Sequence, residues 1–139
     1  MTPTTVSDLR VAELMTIDPI VVPDDATVEE AEELLRHNRI SGLPVVDIVG
    51  RLVGVISQTD LLYLAVPSVQ ALIRHREHGI RVGEVMSAPP VTIDSSATVR
   101  DAARRMHEDH LHRLVVVDDR GRPIGVISAM DFVALAAET

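Results

Sequence analysis

The apolar positions of the chain follow one pattern, and that pattern occurs twice. In each half, apolar residues spaced three and four positions apart predict an amphipathic helix, and two apolar runs separated by a glycine turn predict a β-hairpin. A short helix and a short strand precede the amphipathic helix, and a last helix follows the hairpin. The first half has a short helix near 7–15, strands at 20–22, 43–48 and 52–57, and helices beginning after Thr27 and near Thr59. The second half has a short helix at 82–86, strands at 91–93, 114–118 and 123–128, and helices beginning after Thr98 and near Met130.

The helix starts and the turns carry their own signals. Thr27-Val28-Glu29-Glu30 fits a capping box, and Thr98-Val99-Arg100-Asp101 is its weaker, aspartate-bearing equivalent. Gly50 and Gly121 mark the hairpin turns. A further helix is predicted at 67–78, between the two halves.

The two halves are copies of one sequence. Residues 11–62 align with residues 82–133 at a constant shift of 71 positions, without a gap, and 19 of the 52 aligned positions are identical. Chance would give about three or four identities at average composition. The identities cluster in four segments, of which GVISQTD (54–60) and GVISAMD (125–131) are the longest. The chain is therefore an internal duplication, and two copies are too few for a solenoid.

This organisation predicts the fold class. Repeat 1 is expected at residues 7–65, a linker helix at 66–80, and repeat 2 at 81–137. Each repeat reads as β-α-β-β-α and is too small to bury a core alone, so we expect an α+β fold in which two repeats pack through their sheets with pseudo-two-fold symmetry. Ligand clefts are expected between the repeats.

Composition excludes several functions. The net charge is −8 and all 13 basic residues are arginine, while Tyr63 and Phe132 are the only aromatic residues, so binding to nucleic acid is not expected. The chain has no cysteine, and no apolar run is long enough to span a membrane. No catalytic motif is present, so no catalytic residue is predicted. We expect a cytoplasmic protein that is not an enzyme.

The repeated Ser-x-x-Asp segment carries the candidate chemistry. Ser57 and Asp60 in the first copy, and Ser128 and Asp131 in the second, stand where a buried strand ends and a helix begins. A serine hydroxyl and free helix N–H groups suit a phosphate, and an aspartate suits a ribose diol. The same spacing is also that of an ordinary capping box, and one serine can serve both roles.

With these motifs in order twice, the chain resembles a tandem pair of CBS domains, the domain named after cystathionine β-synthase, also called a Bateman module. The shared marks are V-x-E-x-M-[TS], a P-V-V-D type strand and G-V-I-S-x-x-D, and the resemblance covers about residues 11–133. The resemblance implies two clefts that bind adenosyl compounds such as AMP, ADP, ATP or S-adenosylmethionine, with or without Mg²⁺, and no required cofactor. It also implies a homodimer.

The resemblance assigns residues to each cleft. The stretch that begins at His112-Arg113 is similar to the last repeat of the regulatory gamma subunit of AMP-activated kinase, where this pair faces phosphate. Asp60 is thereby expected to hold the ribose, and Ser57, Thr59, His112 and Arg113 the phosphate. The first cleft would comprise Val55, Ser57, Thr59, Asp60, Ser87, Ala88, Pro90, Thr92, Leu111, His112 and Arg113.

The second cleft departs from the pattern, because Ser41-Gly42 stands where the other copy has His112-Arg113, and Met130 stands where it has Thr59. We expect it to bind nucleotide more weakly. It would comprise Thr16, Ile17, Pro19, Val21, Ile40, Ser41, Val126, Ser128 and Asp131.

The function predicted is a regulatory module that senses an adenosine nucleotide and passes the signal to an unknown effector protein. One alternative is a non-catalytic scaffold or dimerisation module with degenerate clefts. Another is a metal-ion sensor, suggested by His107, His110 and His112, although histidines near a helix C-terminus are favourable by themselves. No metal ligand is predicted in the clefts.

Overall fold

The computed structural model describes residues 8–74 and 79–138, which form two compact units. The central unit is Ile20–Pro90, and the terminal unit combines the described residues up to Pro19 with those from Val91 onward. The elements in chain order are α1 Val11–Leu14, β1 Thr16–Ile17, β2 Val22–Pro23, α2 Val28–Asn38, β3 Gly42–Val46, β4 Leu52–Ser57, α3 Gln58–Tyr63, α4 Pro67–Ile73, α5 Val82–Val85, β5 Thr92–Asp94, α6 Val99–Glu108, β6 Arg113–Val117, β7 Pro123–Ser128 and α7 Ala129–Glu138.

The central unit is a three-stranded sheet in the order β2-β3-β4 with helices α2, α3, α4 and α5. β2 runs parallel to β3, which requires the α2 crossover, and β3 and β4 form an antiparallel hairpin. The core consists of aliphatic residues: Val22, Ala26, Ala31, Leu35, Leu43, Val45, Ile56 and Val82 are buried. Val82 belongs to α5, the opening helix of repeat 2, but it is buried in this core. The rest of the unit includes β2, α2, β3, β4 and α3, which form the body of repeat 1.

The terminal unit has the same plan with one more strand, in the order β1-β7-β6-β5. β5 runs parallel to β6, β6 and β7 form the hairpin, and β1 adds to the free edge of β7. Its core contains the buried residues Val11, Ala102, Met106, Leu114, Val116 and Ile127. Val11 comes from the opening helix of repeat 1, so each unit contains the body of one repeat and the opening helix of the other.

Helices α2 and α6 begin with the capping boxes that their sequences predict. The Thr27 hydroxyl accepts from the Glu30 N–H at 3.2 Å, and Thr27 N–H donates to the Glu30 carboxylate at 3.2 Å. Thr98 and Asp101 repeat this reciprocal arrangement, with distances of 3.0 and 3.2 Å. The two capping boxes are thus confirmed.

Each hairpin turns on a glycine and an aspartate. Gly50 and Gly121 have φ of 88° and 78°, in the left-handed region that favours glycine. The Asp118 carboxylate accepts the backbone N–H groups of Arg120 and Arg122, both at 2.9 Å, and Asp47 does the same in the other hairpin. These hydrogen bonds, from the Arg122 N–H foremost, lower the pKa of Asp118 below its ordinary value of 3.8.

The lowered pKa predicts how stability depends on acid. A carboxylate with a depressed folded-state pKa contributes stability above the unfolded pKa, and this contribution is lost as the pH falls through the folded-state pKa. Asp118→Asn should therefore lower the melting temperature at pH 7, and its difference from the wild type should shrink below about pH 4. Circular-dichroism melts from pH 7 to pH 3 test this, with Asp119→Asn as the control. A difference that does not change with pH would contradict this explanation.

The fold class predicted from the sequence is confirmed: two β-α-β-β-α repeats give a mixed α and β structure with two small sheets. The strands predicted at 52–57 and 123–128 are found with those bounds. The repeat and linker boundaries at 7–65, 66–80 and 81–137 stay a prediction. Residue 7 and the end of the predicted linker helix, residues 75–78, lie outside the described residues.

Several element ends differ from the prediction. The helix expected near 7–15 spans only Val11–Leu14, because Met15 is extended with ψ of 154°. Strand β1 at Thr16–Ile17 was not predicted, since two residues form no pattern and their partners, Val126 and Gly125, are far away in sequence. β2 begins at Val22 rather than residue 20.

Candidate functional site

In the central unit, Ser57 and Asp60 hold each other at the start of α3. The Ser57 N–H donates to Asp60 Oδ2 at 2.9 Å, the Ser57 hydroxyl donates to the same oxygen at 3.0 Å, and the Asp60 N–H donates to Ser57 Oγ at 3.2 Å. The capping interpretation of Ser-x-x-Asp is thus confirmed. Both residues are half-buried, and the bonds that Ser57 donates go to Oδ2 of the carboxylate.

The opening segment of repeat 2, residues 82–87, is paired to β4 beside this motif. Val55 and Ser87 exchange two backbone hydrogen bonds, of 3.0 and 2.9 Å. Gly54 permits this approach, because a Cβ there would lie 2.5 Å from Met86 Sδ and 2.9 Å from the Ser87 carbonyl oxygen. The predicted combination of the Ser-x-x-Asp segment of one repeat with the opening segment of the other is therefore present in this unit.

The pairing brings a second hydroxyl to the carboxylate. The Ser87 side chain donates to Asp60 Oδ1 at 3.1 Å. Asp60 consequently accepts hydrogen bonds on both oxygens, two from Ser57 and one from Ser87.

The terminal unit repeats the backbone arrangement. Ser128 N–H and hydroxyl donate to Asp131 Oδ2 at 2.7 and 3.1 Å, and Asp131 N–H donates to Ser128 Oγ at 3.3 Å. Thr16 pairs with Val126 in the β1–β7 ladder, as Ser87 pairs with Val55. Gly125 takes the place of Gly54: a Cβ there would lie 2.5 Å from Met15 Sδ.

The side chains differ between the two units. Thr16 stands in the repeat where Ser87 stands and carries a hydroxyl too, but the hydrogen bonds of Asp131 within the described residues are those with Ser128. Among the residues that the structure describes, none donates a hydrogen bond to Asp131 Oδ1.

Two of the predicted phosphate-side positions lie beside the helix starts of their own units. The Ser41 carbonyl accepts the Gln58 N–H at 2.9 Å in the central unit, and the His112 carbonyl accepts the Ala129 N–H at 2.8 Å in the terminal unit. Arg113 pairs with Ser128 in the β6–β7 ladder. The assignment of His112 and Arg113 to the Asp60 cleft, and of Ser41 to the Asp131 cleft, stays a prediction.

The remaining predicted residues are distributed over both units. Thr59 is exposed in the first turn of α3. The central unit holds Val21, Ile40, Ala88 and Pro90, and the terminal unit holds Ile17, Pro19, Thr92 and Leu111. None of the predicted site residues is aromatic.

The sequence predictions include no role for two glycine–methionine pairs that the structure brings into contact. Gly54 with Met86, and Gly125 with Met15, make the close contacts that bring the opening segments to the strands. The glycine and the methionine are identical in both repeats. Their recurrence could have shown a steric requirement, but not which methionine meets which glycine.

The histidines that suggested a metal line an open pocket of about 430 Å³ in the terminal unit, together with Met106 and Phe132. Across residues 8–74 and 79–138, no three His, Cys, Asp or Glu side chains are arranged to hold a metal ion. The geometry thus gives the metal-ion sensor no support in this part of the chain.

Comparison with known proteins places these features in a family. Residues 11–66 and 82–138 each match the family described as "CBS domain". The chain belongs to the CBS domain family. The chain is 36% identical to CBSX2 in a crystal structure solved in complex with AMP. The match covers 94% of this chain and 97% of that one, and the two structures superpose with a TM-score of 0.82. The CBS pair of MJ0100, solved with 5′-methylthioadenosine and S-adenosylmethionine, shares the fold at 24% identity and a TM-score of 0.79, covering 93% and 96% of the two chains.

Curated relatives include the chloroplastic CBSX1 of Arabidopsis thaliana, 34% identical over 140 residues. An inosine-5′-monophosphate dehydrogenase of Mycobacterium tuberculosis is 36% identical over 120 residues. The matches cover 85% and 86% of this chain, but only 59% of CBSX1 and 21% of the dehydrogenase. The dehydrogenase is thus matched over about a fifth of its length.

No helix within residues 8–74 and 79–138 is both long enough and apolar enough to span a membrane.

Proposed function

We propose that this CBS pair is a regulatory module that binds an adenosine nucleotide (AMP, ADP or ATP) and passes the signal to a partner protein. The observation that carries the proposal is the half-buried aspartate of each Ser-x-x-Asp motif. The serine of the motif donates to one oxygen of this carboxylate, and the strand that ends at the serine pairs with an opening segment. A carboxylate fixed in this way suits the two hydroxyls of a ribose.

The relationship to CBSX2 supports the same ligand class. That structure contains AMP and covers nearly the whole of both chains at 36% identity. S-adenosylmethionine is the alternative adenosyl ligand, and we propose no required cofactor.

The phosphate end distinguishes the two proposed clefts. We assign Asp60 to the ribose of the principal cleft, with Ser57, Thr59, His112 and Arg113 on the phosphate side. Arg113 is the strongest anion partner among them, because a guanidinium is always charged. The cleft at Asp131 has Ser41 in place of the histidine–arginine pair and is proposed to bind nucleotide more weakly.

The proposed mechanism is a population shift. A nucleotide changes the protein only if it binds one arrangement of the two repeats better than another. The changed arrangement would be read by an effector protein, and we also propose a homodimer and a cytoplasmic location.

A thermal-shift panel tests the proposed ligand class. AMP, ADP, ATP, S-adenosylmethionine, NAD and cyclic dinucleotides are added to the full chain, with and without Mg²⁺. A ligand at 100 times its dissociation constant should stabilise the fold by about 2.7 kcal/mol. We expect AMP, ADP or ATP to raise the melting temperature, and GMP serves as the matched control. No shift with any adenosyl compound would contradict the proposed function.

A scaffold or dimerisation module is the second candidate, and exposed apolar side chains favour it. Leu62 and Tyr63 on α3 are each 69% exposed, and Met130 and Val133 on α7 are 70% and 57% exposed. Apolar residues on the same element of both repeats are typical of an association surface. A flat ligand panel from a chain that is dimeric by light scattering would favour this candidate.

A further inference from the structure

The Asp60 carboxylate has little remaining capacity for hydrogen bonds. An ionised carboxylate offers about four lone-pair positions on its two oxygens. Ser57 uses two positions on Oδ2, through its N–H and its hydroxyl, and Ser87 uses one on Oδ1. About one position is left.

Asp131 has more capacity, because its Oδ2 receives the two hydrogen bonds from Ser128 and no bond within the described residues reaches Oδ1. About two positions are left on that oxygen. The two aspartates therefore differ by one acceptor position, and the difference comes from Ser87.

A ribose binds through a vicinal diol, which donates two hydrogen bonds. Asp131 can accept both as it stands. Asp60 can accept both only if the Ser87 hydroxyl leaves Oδ1, because three donors do not fit on one oxygen with two lone pairs.

We propose that Ser87 is a built-in competitor for the ligand's ribose at Asp60, and that it sets the affinity of this cleft for ribonucleotides. The inference rests on the proposed function, since it takes the diol to be the group that Asp60 binds. The Ser87 hydroxyl donates to Oδ1 as one ribose hydroxyl would, and it keeps the carboxylate satisfied. Binding replaces the Ser87 bond, and so the net gain from the diol is reduced.

The competition has a consequence for the backbone. Ser87 follows α5 and is paired through its main chain to Val55. When the ligand displaces the Ser87 side chain, the opening segment loses the hydrogen bond from Ser87 to Asp60 but keeps its strand pairing. Ligand binding at Asp60 thereby changes the contacts of the opening segment. At Asp131 there is no corresponding bond from the described residues for a ligand to displace.

The test uses the full chain carrying Asp131→Asn, which removes the charged partner of a diol at the other cleft. Ser87→Ala is added, and AMP and 2′,3′-dideoxy-AMP are titrated by calorimetry. We expect Ser87→Ala to tighten AMP binding about 10-fold or more, which is the factor that one hydrogen bond to a charged group contributes. The affinity for 2′,3′-dideoxy-AMP, which lacks the diol, should not change.

The control is Ser68→Ala, the same change at an exposed position of α4 in the same unit. AMP binding that is unchanged or weaker in Ser87→Ala, while Asp60→Asn still weakens it, would overturn the role of Ser87 and leave the proposed function standing. An equal gain for both nucleotides would also overturn it. AMP binding that is insensitive to Asp60→Asn would overturn both proposals.

Discussion

Asp60→Ala will weaken the binding of AMP about 10- to 100-fold. The substitution removes the carboxylate proposed to accept the ribose diol, and a hydrogen bond to a charged group contributes about 1.5–3 kcal/mol, or about tenfold or more in affinity. Isothermal titration of the full chain measures the change. The tighter of two phases should disappear in Asp60→Ala, and the weaker phase should disappear in Asp131→Ala.

Asp60 also caps α3, so lost binding must be separated from lost folding. Asp60→Asn keeps an oxygen that can accept the Ser57 N–H but removes the charge, and it should weaken AMP binding while costing little stability. Glu29→Ala, at an exposed position in the first turn of α2, is the control. If the tighter phase is lost in Asp131→Ala instead, the assignment of the principal cleft to Asp60 is wrong.

Gly54→Ala will destabilise the central unit by about 1–3 kcal/mol, the usual cost of inserting a methyl group where there is no room. The new Cβ would lie 2.5 Å from Met86 Sδ, which can move, and 2.9 Å from the Ser87 carbonyl oxygen, which belongs to the backbone. Relief of the second contact requires the Val55–Ser87 pairing to open. Urea denaturation measures the free energy of unfolding, and AMP affinity should fall with it.

Gly83→Ala is the matched control in the same unit, because its Cβ would lie no closer than 3.2 Å to its nearest neighbour, the Asp24 carbonyl oxygen. It should cost less than Gly54→Ala. Gly125→Ala should resemble Gly54→Ala, because it meets Met15 and the Thr16 carbonyl oxygen at 2.5 and 3.0 Å. A Gly54→Ala protein as stable as the wild type would show that the close approach is not required.

Local rules explain why the secondary structure could be read from the sequence. Capping at Thr27 and Thr98 depends on side chains three residues apart, and the hairpin turns depend on an aspartate and a glycine within a few residues of each other. These interactions are complete within one segment. The repeat added a second, independent instance of each signal.

The pairings between distant segments could not be read in the same way. β1 is two residues long and lies against β7 because Thr16 meets Val126, more than a hundred residues along the chain. Val11 and Val82 occupy equivalent positions in the two repeats, so the sequence did not show which of them completes which core. Each opening helix in fact packs with the body of the other repeat.

The duplication, the family resemblance, the two Ser-x-x-Asp motifs and the order of the helices and strands other than β1 could all be read from the amino-acid sequence. The tertiary structure alone decided that Ser87 bonds to Asp60 while Thr16, with the same hydroxyl, makes no hydrogen bond to Asp131 within the described residues. The physical reason is that a hydrogen bond depends on tenths of an ångström between segments 27 or more residues apart, and residue type does not encode such distances.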